Sequence, residues 1–422
     1  MSRIPPLALL LGLALAAPRP ASGRDDDRQP PPRGTTVPSD PTFVALLTDG
    51  TTESGQVRGL GTGGGDEGGV TLVGPDRAGR KVPLDRLVKL TREGVSPPSQ
   101  DEGGGVVVFP DGDRLAYCRI GAAGETRLDV HSTPLENLAI PIDSILGLIL
   151  ESPAEAEAAS ALAAKVRSEP RSSDLLWLAN GDKLPGLFSG LDEKKVAFQP
   201  ATGRIELERV GVVAIGFDPA RVDYRRPAGP FFELTLVDGS RLGVSAVRFE
   251  RGQVVGRARF GAEARLPIGD LAQVHVLGGR VSYLSDREPD RFVYEPYLGP
   301  TRPHRRGASV AGTPLRLGGR TFDRGIGTQS RTLLLYKLGP DARRFQALVG
   351  LDDGAGPLGS VGFKVIVDGK VRYESPAMGA KEPPKAIDVD IAGGSLLVLI
   401  TEFGERGDIQ DGADWVEARI IH

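Results

Sequence analysis

Four times between residues 42 and 278 an apolar run ends in the dipeptide Asp-Gly or Asn-Gly. The runs are Phe43-Val-Ala-Leu-Leu-Thr-Asp-Gly50, Val106-Val-Val-Phe-Pro-Asp-Gly112, Leu175-Leu-Trp-Leu-Ala-Asn-Gly181 and Phe232-Glu-Leu-Thr-Leu-Val-Asp-Gly239. These dipeptides accept the positive φ angles of a two-residue hairpin turn, so each run reads as a strand that reverses sharply. Each unit closes on a second phrase, namely Val82-Pro-Leu-Asp85, Ile140-Pro-Ile-Asp143, Ile205-Glu-Leu-Glu208 and Leu266-Pro-Ile-Gly269, followed by another apolar strand. A spacing of about 60 residues exceeds a solenoid rung and suffices for one small barrel. The β units are expected at 42–98, 103–151, 172–220 and 230–278.

With 422 residues, the chain has room for several cored domains. Aromatics are 5% of it, so Val, Leu, Ile and Ala must fill those cores. A formal charge of -3 gives no reason to expect a polyanion partner. At the N-terminus Arg3 precedes an apolar run from Leu7 to Ala17, and Ala21-Ser22-Gly23 offers small residues for cleavage. The run is well short of the roughly 20 residues a membrane helix needs. Residues 1–23 therefore read as a signal peptide and 24–41, rich in Asp, Arg and Pro, as a disordered tether. The expected location is secreted or periplasmic, with no transmembrane anchor after cleavage. Cys118 is the only cysteine, which excludes an internal disulfide and reads as a small core residue.

The order of strand, Asp-Gly turn, Leu-containing strand, middle strand, Ile-Pro-Leu phrase and apolar strand resembles the small five-stranded barrels of Sm-like and SH3-like proteins. A larger sandwich built from pairs of units is the alternative. Sm-like proteins often bind RNA, but basic and base-stacking residues are not clustered here, so no nucleic-acid partner is expected. Residues 152–169 form a helical linker by propensity, with acids early, bases late and Pro170 as a stop. It either separates two pairs of units or docks on a barrel.

Beyond residue 280 short apolar segments recur, including Thr332–Tyr336, Phe345–Gly350, Val361–Val367 and Leu396–Ile400. With no helix pattern among them they imply an antiparallel sandwich. The stretches Tyr283-Leu-Ser-Asp286, Leu317-Gly-Gly-Arg-Thr-Phe-Asp-Arg-Gly-Ile-Gly-Thr328, Val349-Gly-Leu-Asp-Asp353 and Asp414-Trp415 resemble the NPCBM family, a carbohydrate-binding module found on family 98 glycoside hydrolases, over residues 281–422. The resemblance implies a galactose-binding-like jelly roll whose strand-connecting loops bind glycans. The whole chain is then all-β, a jelly-roll sandwich preceded by tandem small barrel-like repeats with one intervening helix. The family commonly carries histidine where this chain has Gln329 and Gly412, so two imidazoles able to hydrogen-bond sugar hydroxyls are missing.

The ligand-binding candidates are Gln329, Asp352, Asp353, Asp411, Asp414 and Trp415. Trp415 offers an apolar ring face for a pyranose, and strand alternation sets it on one side with Glu417 and Arg419, opposite Val416, Ala418 and Ile420. The four aspartates suit sugar hydroxyls or Ca²⁺, and equally suit tight turns. His131, His275, His304 and His422 show no metal-ligand spacing. Gly325-Ile-Gly327 lacks the Lys-Ser/Thr that a phosphate loop requires. The expectation is a non-catalytic exported protein that binds carbohydrate or an envelope glycan, with the β units as scaffold. The other readings are a cell-envelope scaffold that contacts proteins without binding sugar, and a glycosidase accessory protein with a concealed catalytic site.

Overall fold

A computed structural model describes residues 40–63, 68–95, 104–153, 156–297 and 302–422. The expected signal peptide and nearly all of the tether lie outside them.

Each repeat is a five-stranded antiparallel meander with the same strand order. In the first, Thr42–Leu47 pairs with Thr52–Thr62, which pairs with Gly68–Val73 and then Gly79–Val82. The last strand, Leu87–Arg92, returns to the other edge of the first. The fourth unit repeats this with Phe231–Leu236, Arg241–Glu250, Gln253–Ala258, Glu263–Pro267 and Leu271–Leu277. The third does so with Asp174–Leu178, Lys183–Leu191, Lys195–Gln199, Ile205–Glu208 and Val212–Gly216. In the second unit the long strand is interrupted at Cys118, between Arg114–Tyr117 and Arg119–Ala123. Cys118 is exposed there, not the core residue its isolation in the sequence implied. In all four units the register slips once where the second strand meets the third, at Val57/Gly59, Ile120/Ala122, Phe188/Gly190 and Ser245/Arg248. A bulge at the same place in each unit bends the long strand so that its two halves serve different neighbours.

The Asp-Gly turns differ from the two-residue form expected. In units one, three and four only the glycine has positive φ (Gly50, Gly181 and Gly239 at 84, 90 and 85°). Its N–H donates three residues back, to Leu47, Leu178 and Leu236. These are three-residue loops with a bulged glycine. Asp49, Asn180 and Asp238 serve through their side chains, accepting from the N–H two residues ahead. Only the second unit has both central residues, Asp111 and Gly112, at positive φ.

Units associate through their last strands, in the pairs one with four and two with three. Val274 stands opposite Leu90 in one seam, and Leu148 opposite Ile215 in the other. The helix Ala156–Ser168 therefore does not divide successive pairs. It covers the two–three seam, with Ala163 and Val166 packed among Val108, Ile149, Trp177 and Ala214. Arg171 holds its C-terminal end by donating to the Val166 and Glu169 carbonyls and, across the seam, to those of Leu146 and Phe217.

The C-terminal region is a two-sheet antiparallel sandwich. One sheet orders Arg305–Arg306, Gly325–Gln329, Gly412–Ile421, Arg344–Leu351 and Lys385–Asp390. The other orders Arg291–Tyr294, Thr332–Lys337, Leu396–Phe403, Ser360–Val367 and Lys370–Glu374. Phe345, Phe363, Val365, Leu399 and Trp415 fill the space between them. The sandwich occupies on the one–four seam the face the helix occupies on the other. Val281, Tyr283 and Ile421 pack on Val88, Phe231 and Leu277.

Candidate functional site

The register fixes which loops converge. Gln329 stands opposite Gly412, Leu351 opposite Ala413, Val361 opposite Phe403 and Tyr294 opposite Thr332. The connections after Tyr294, Gln329, Leu351 and Phe403 therefore leave the sandwich at one end. The seam contacts of Ile421 and Tyr283 lie at the other, about 30 Å away along a ten-residue strand at 3.3 Å per residue.

The motif residues mostly build this end. Asp411 is buried and accepts from the Ser360 N–H at 2.8 Å, tying the segment that precedes its strand to the loop after Leu351. Asp352 accepts from the N–H groups of Arg316 and Gly354 at 3.1 and 2.8 Å. Asp353 accepts from Gly318 and Gly319 at 2.9 and 2.8 Å. Together the two clamp the hairpin of Leu315–Leu317 and Arg320–Phe322 over the outer face of the first sheet, where Leu315 and Phe322 meet Val416. Asp414 lies beneath. Burial, then the hydrogen bond and charge of neighbouring Asp352, push its carboxyl up to about 9. Among the described residues no three His, Cys, Asp or Glu side chains gather around a possible metal position. Asp352, Asp353 and Asp411 each direct side-chain oxygens to backbone N–H groups of the surrounding loops.

Trp415 is also structural. It is 1% exposed, its ring meets Phe363 edge-on at 5.2 Å, and its Nε1 donates to Thr401 Oγ1 at 3.0 Å. Neither face is open to a sugar. Alternation misleads because Glu417 adopts φ 55° and the register to Arg344–Leu351 slips between Gln346 and Leu348. One extra residue turns Trp415, Ala418 and Ile420 into the same core. Gln329 is buried, and its amide donates to the Asp408 carbonyl at 2.9 Å, which pins the loop after Phe403.

What that end offers to solvent is a different set. Tyr297 is 67% exposed, and its N–H donates to Asp408 Oδ2 at 3.1 Å. Its ring lies over Gly407, where a Cβ would come within 3.2 Å of it. Ile409, in the same loop as Gly407, and Leu358, in the loop after Leu351, are exposed as well. Gln410 stretches across Gly356 to accept from the Leu358 N–H at 2.9 Å, and a Cβ at Gly356 would overlap its amide. Arg331 pairs with Glu295 at 3.2 Å and with Glu402. Arg331 and Gln410 both hold positive φ (58 and 59°), a conformation non-glycine residues adopt at a cost and one that concentrates at ligand sites. Sequence reading missed this group because it follows no period. The available signal was Tyr297, an aromatic outside any alternating run, and the polar stretch Glu405–Gln410 interrupted by Ile409.

Residues 280–421 match the NPCBM/NEW2 domain. An alpha-1,3-galactosidase B of Akkermansia muciniphila is 29% identical over 113 residues, 26% of this chain and 14% of its own length. A Renibacterium salmoninarum protein named for endo-alpha-N-acetylgalactosaminidase activity is 29% identical over 110 residues, or 7% of its length. The chain thus spans a small part of these relatives. Among solved structures, the CBM51 of Clostridium perfringens GH95 in complex with methyl-galactose is 27% identical, with a TM-score of 0.31, covering 33% of this chain and 99% of that one. The match identifies the C-terminal sandwich as an NPCBM/NEW2 domain.

Proposed function

We propose that the sandwich binds carbohydrate at its free end, with Tyr297 as the platform and Asp408, Gln410 and Arg331 as the polar rim. The observation that carries this reading is an exposed tyrosine packed against Gly407, in the loop that also carries exposed Ile409 and the polar residues Asp408 and Gln410. A pyranose has an apolar face and polar edges and needs that combination. The four β units form the base that fixes the sandwich by its opposite end. The chain acts as a non-catalytic binding protein, and the sequence features of residues 1–23 support export to the periplasm or beyond. Screening the full chain on a glycan array, with Tyr297→Ala beside it, tests the reading. Equal signals from the two proteins would count against it.

A second reading is favoured by Gln329 and Gly412. Gln329 engages a backbone carbonyl and Gly412 offers no side chain, so neither replaces the imidazoles common in the family. In that reading the exposed end contacts an envelope protein. A folded chain that is silent on glycans yet captures a partner through Tyr297 and Ile409 would support it.

A further inference from the structure

The outer face of the second β unit carries a cavity of about 300 Å³, remote in sequence from the sandwich. The register explains it. Arg119, His131 and Asn137 lie directly opposite one another across three strands, Arg119–Ala123, Arg127–Ser132 and Glu136–Pro141. Cross-strand neighbours of this kind stand about 5 Å apart. In the next rows Gly121 and Ala139 flank Asp129, and their small side chains leave the hollow that larger ones would fill. Arg127 closes one end, its Nε donating to Asp129 Oδ1 at 2.7 Å. His131 Nδ1 is held against Asn137 Oδ1 at 3.1 Å. Arg119 has no ion-pair or hydrogen-bond partner among the described residues. The hollow thus places an unpaired guanidinium, an imidazole and an amide on one side and a carboxylate on the other.

We propose that this groove is a second ligand site, separate from the sandwich, and that it takes a carboxylate-bearing saccharide. Arg119 pairs with the carboxylate through two parallel N–H donors. Asn137 and Asp129 supply a donor and an acceptor for the flanking hydroxyls. A neutral sugar lacks the charge that Arg119 matches. A bare inorganic anion leaves Asp129 without a hydroxyl to accept from.

Cys118 provides a reporter, since it is exposed and its Sγ lies 3.3 Å from the His131 carbonyl oxygen. The experiment uses the full chain with sodium glucuronate, glucose and sodium sulfate in parallel. It reads calorimetric heats and the rate of Cys118 alkylation by iodoacetamide. Glucuronate is expected to bind saturably and to slow alkylation at least threefold, with glucose and sulfate doing neither. Arg119→Ala is expected to weaken glucuronate binding at least tenfold. Arg119 is exposed, so its removal leaves the core intact. Absence of glucuronate binding, equal binding by Arg119→Ala, or equal protection by glucose or sulfate would each overturn the proposal.

Discussion

Arg324 of the sandwich and Glu233 of the fourth β unit meet at 2.7 Å, both buried, across the boundary between the two regions. The same guanidinium pairs with Asp286 and lies 4.7 Å from the centroid of the Tyr283 ring. From Glu233 the polar chain continues to His275 at 3.6 Å, on to Glu417 at 3.7 Å, and from Glu417 to Lys89 at 3.1 Å. Sandwich and β units are therefore held as one body rather than strung on a flexible linker. Removing one partner strands the other charge in a dry interface. Arg324→Ala is expected to cost about 3–5 kcal/mol in denaturant unfolding. A loss under 1 kcal/mol would show that the interface admits water.

The same network predicts acid sensitivity. Burial alone would raise the Glu233 carboxyl, but Arg324, Arg241 and His275 outweigh it and hold it well below its usual range. For Glu417 burial is outweighed in the same sense by Lys89, His275 and Arg419. A depressed carboxyl contributes stability that is full above its unfolded value of 4.5 and is lost as pH falls through the folded one. Between pH 5 and 3 the wild-type melting temperature should fall more steeply than that of Glu417→Gln, as a pH series of thermal melts would reveal.

Asp414 predicts the opposite slope. Its folded value of about 9 lies above the ordinary 3.8, so its contribution is greatest below pH 3.8 and declines as pH rises towards 9. Asp414→Asn keeps the neutral shape without the titration. The variant should melt with the wild type near pH 4 and above it at pH 9. Coincident melting curves at pH 9 would contradict the assignment.

Two aromatic substitutions should separate packing from recognition. Trp415→Ala removes a core ring and is expected to cost about 3–5 kcal/mol of stability. Tyr297→Ala, at an exposed position, should change stability by less than about 0.5 kcal/mol. Thermal melts of the two variants side by side would show it. A stably folded Trp415→Ala protein that has lost ligand binding would restore that residue as a contact.

The repeat, the sandwich and the helix were legible because each rests on local periodicity and turn chemistry. Asp49, Asn180 and Asp238 mark their turns for a reason visible in sequence, although the glycine alone carries the positive φ in three of the four. The docking of units one with four and two with three was not legible, since it depends on last strands that look alike in all of them. At the site, Asp352, Asp353 and Asp411 read both as ligand groups and as turn formers, and the sequence does not choose between the two. Aspartates that clamp a hairpin and aspartates that hold a ligand share one composition. Trp415 was misplaced by the single bulge at Glu417, and Tyr297 had no pattern to announce it.

The central claim is that the β units grip one end of the sandwich and leave the other to bind carbohydrate through Tyr297. The most direct test is calorimetry of the full chain, wild type and Tyr297→Ala, against the strongest array glycan. Loss of one buried aromatic contact of about 1.5–3 kcal/mol corresponds to a roughly 10- to 150-fold weaker Kd, with an unchanged melting temperature. Equal affinities in two folded proteins, or no binding by the wild type, would contradict it.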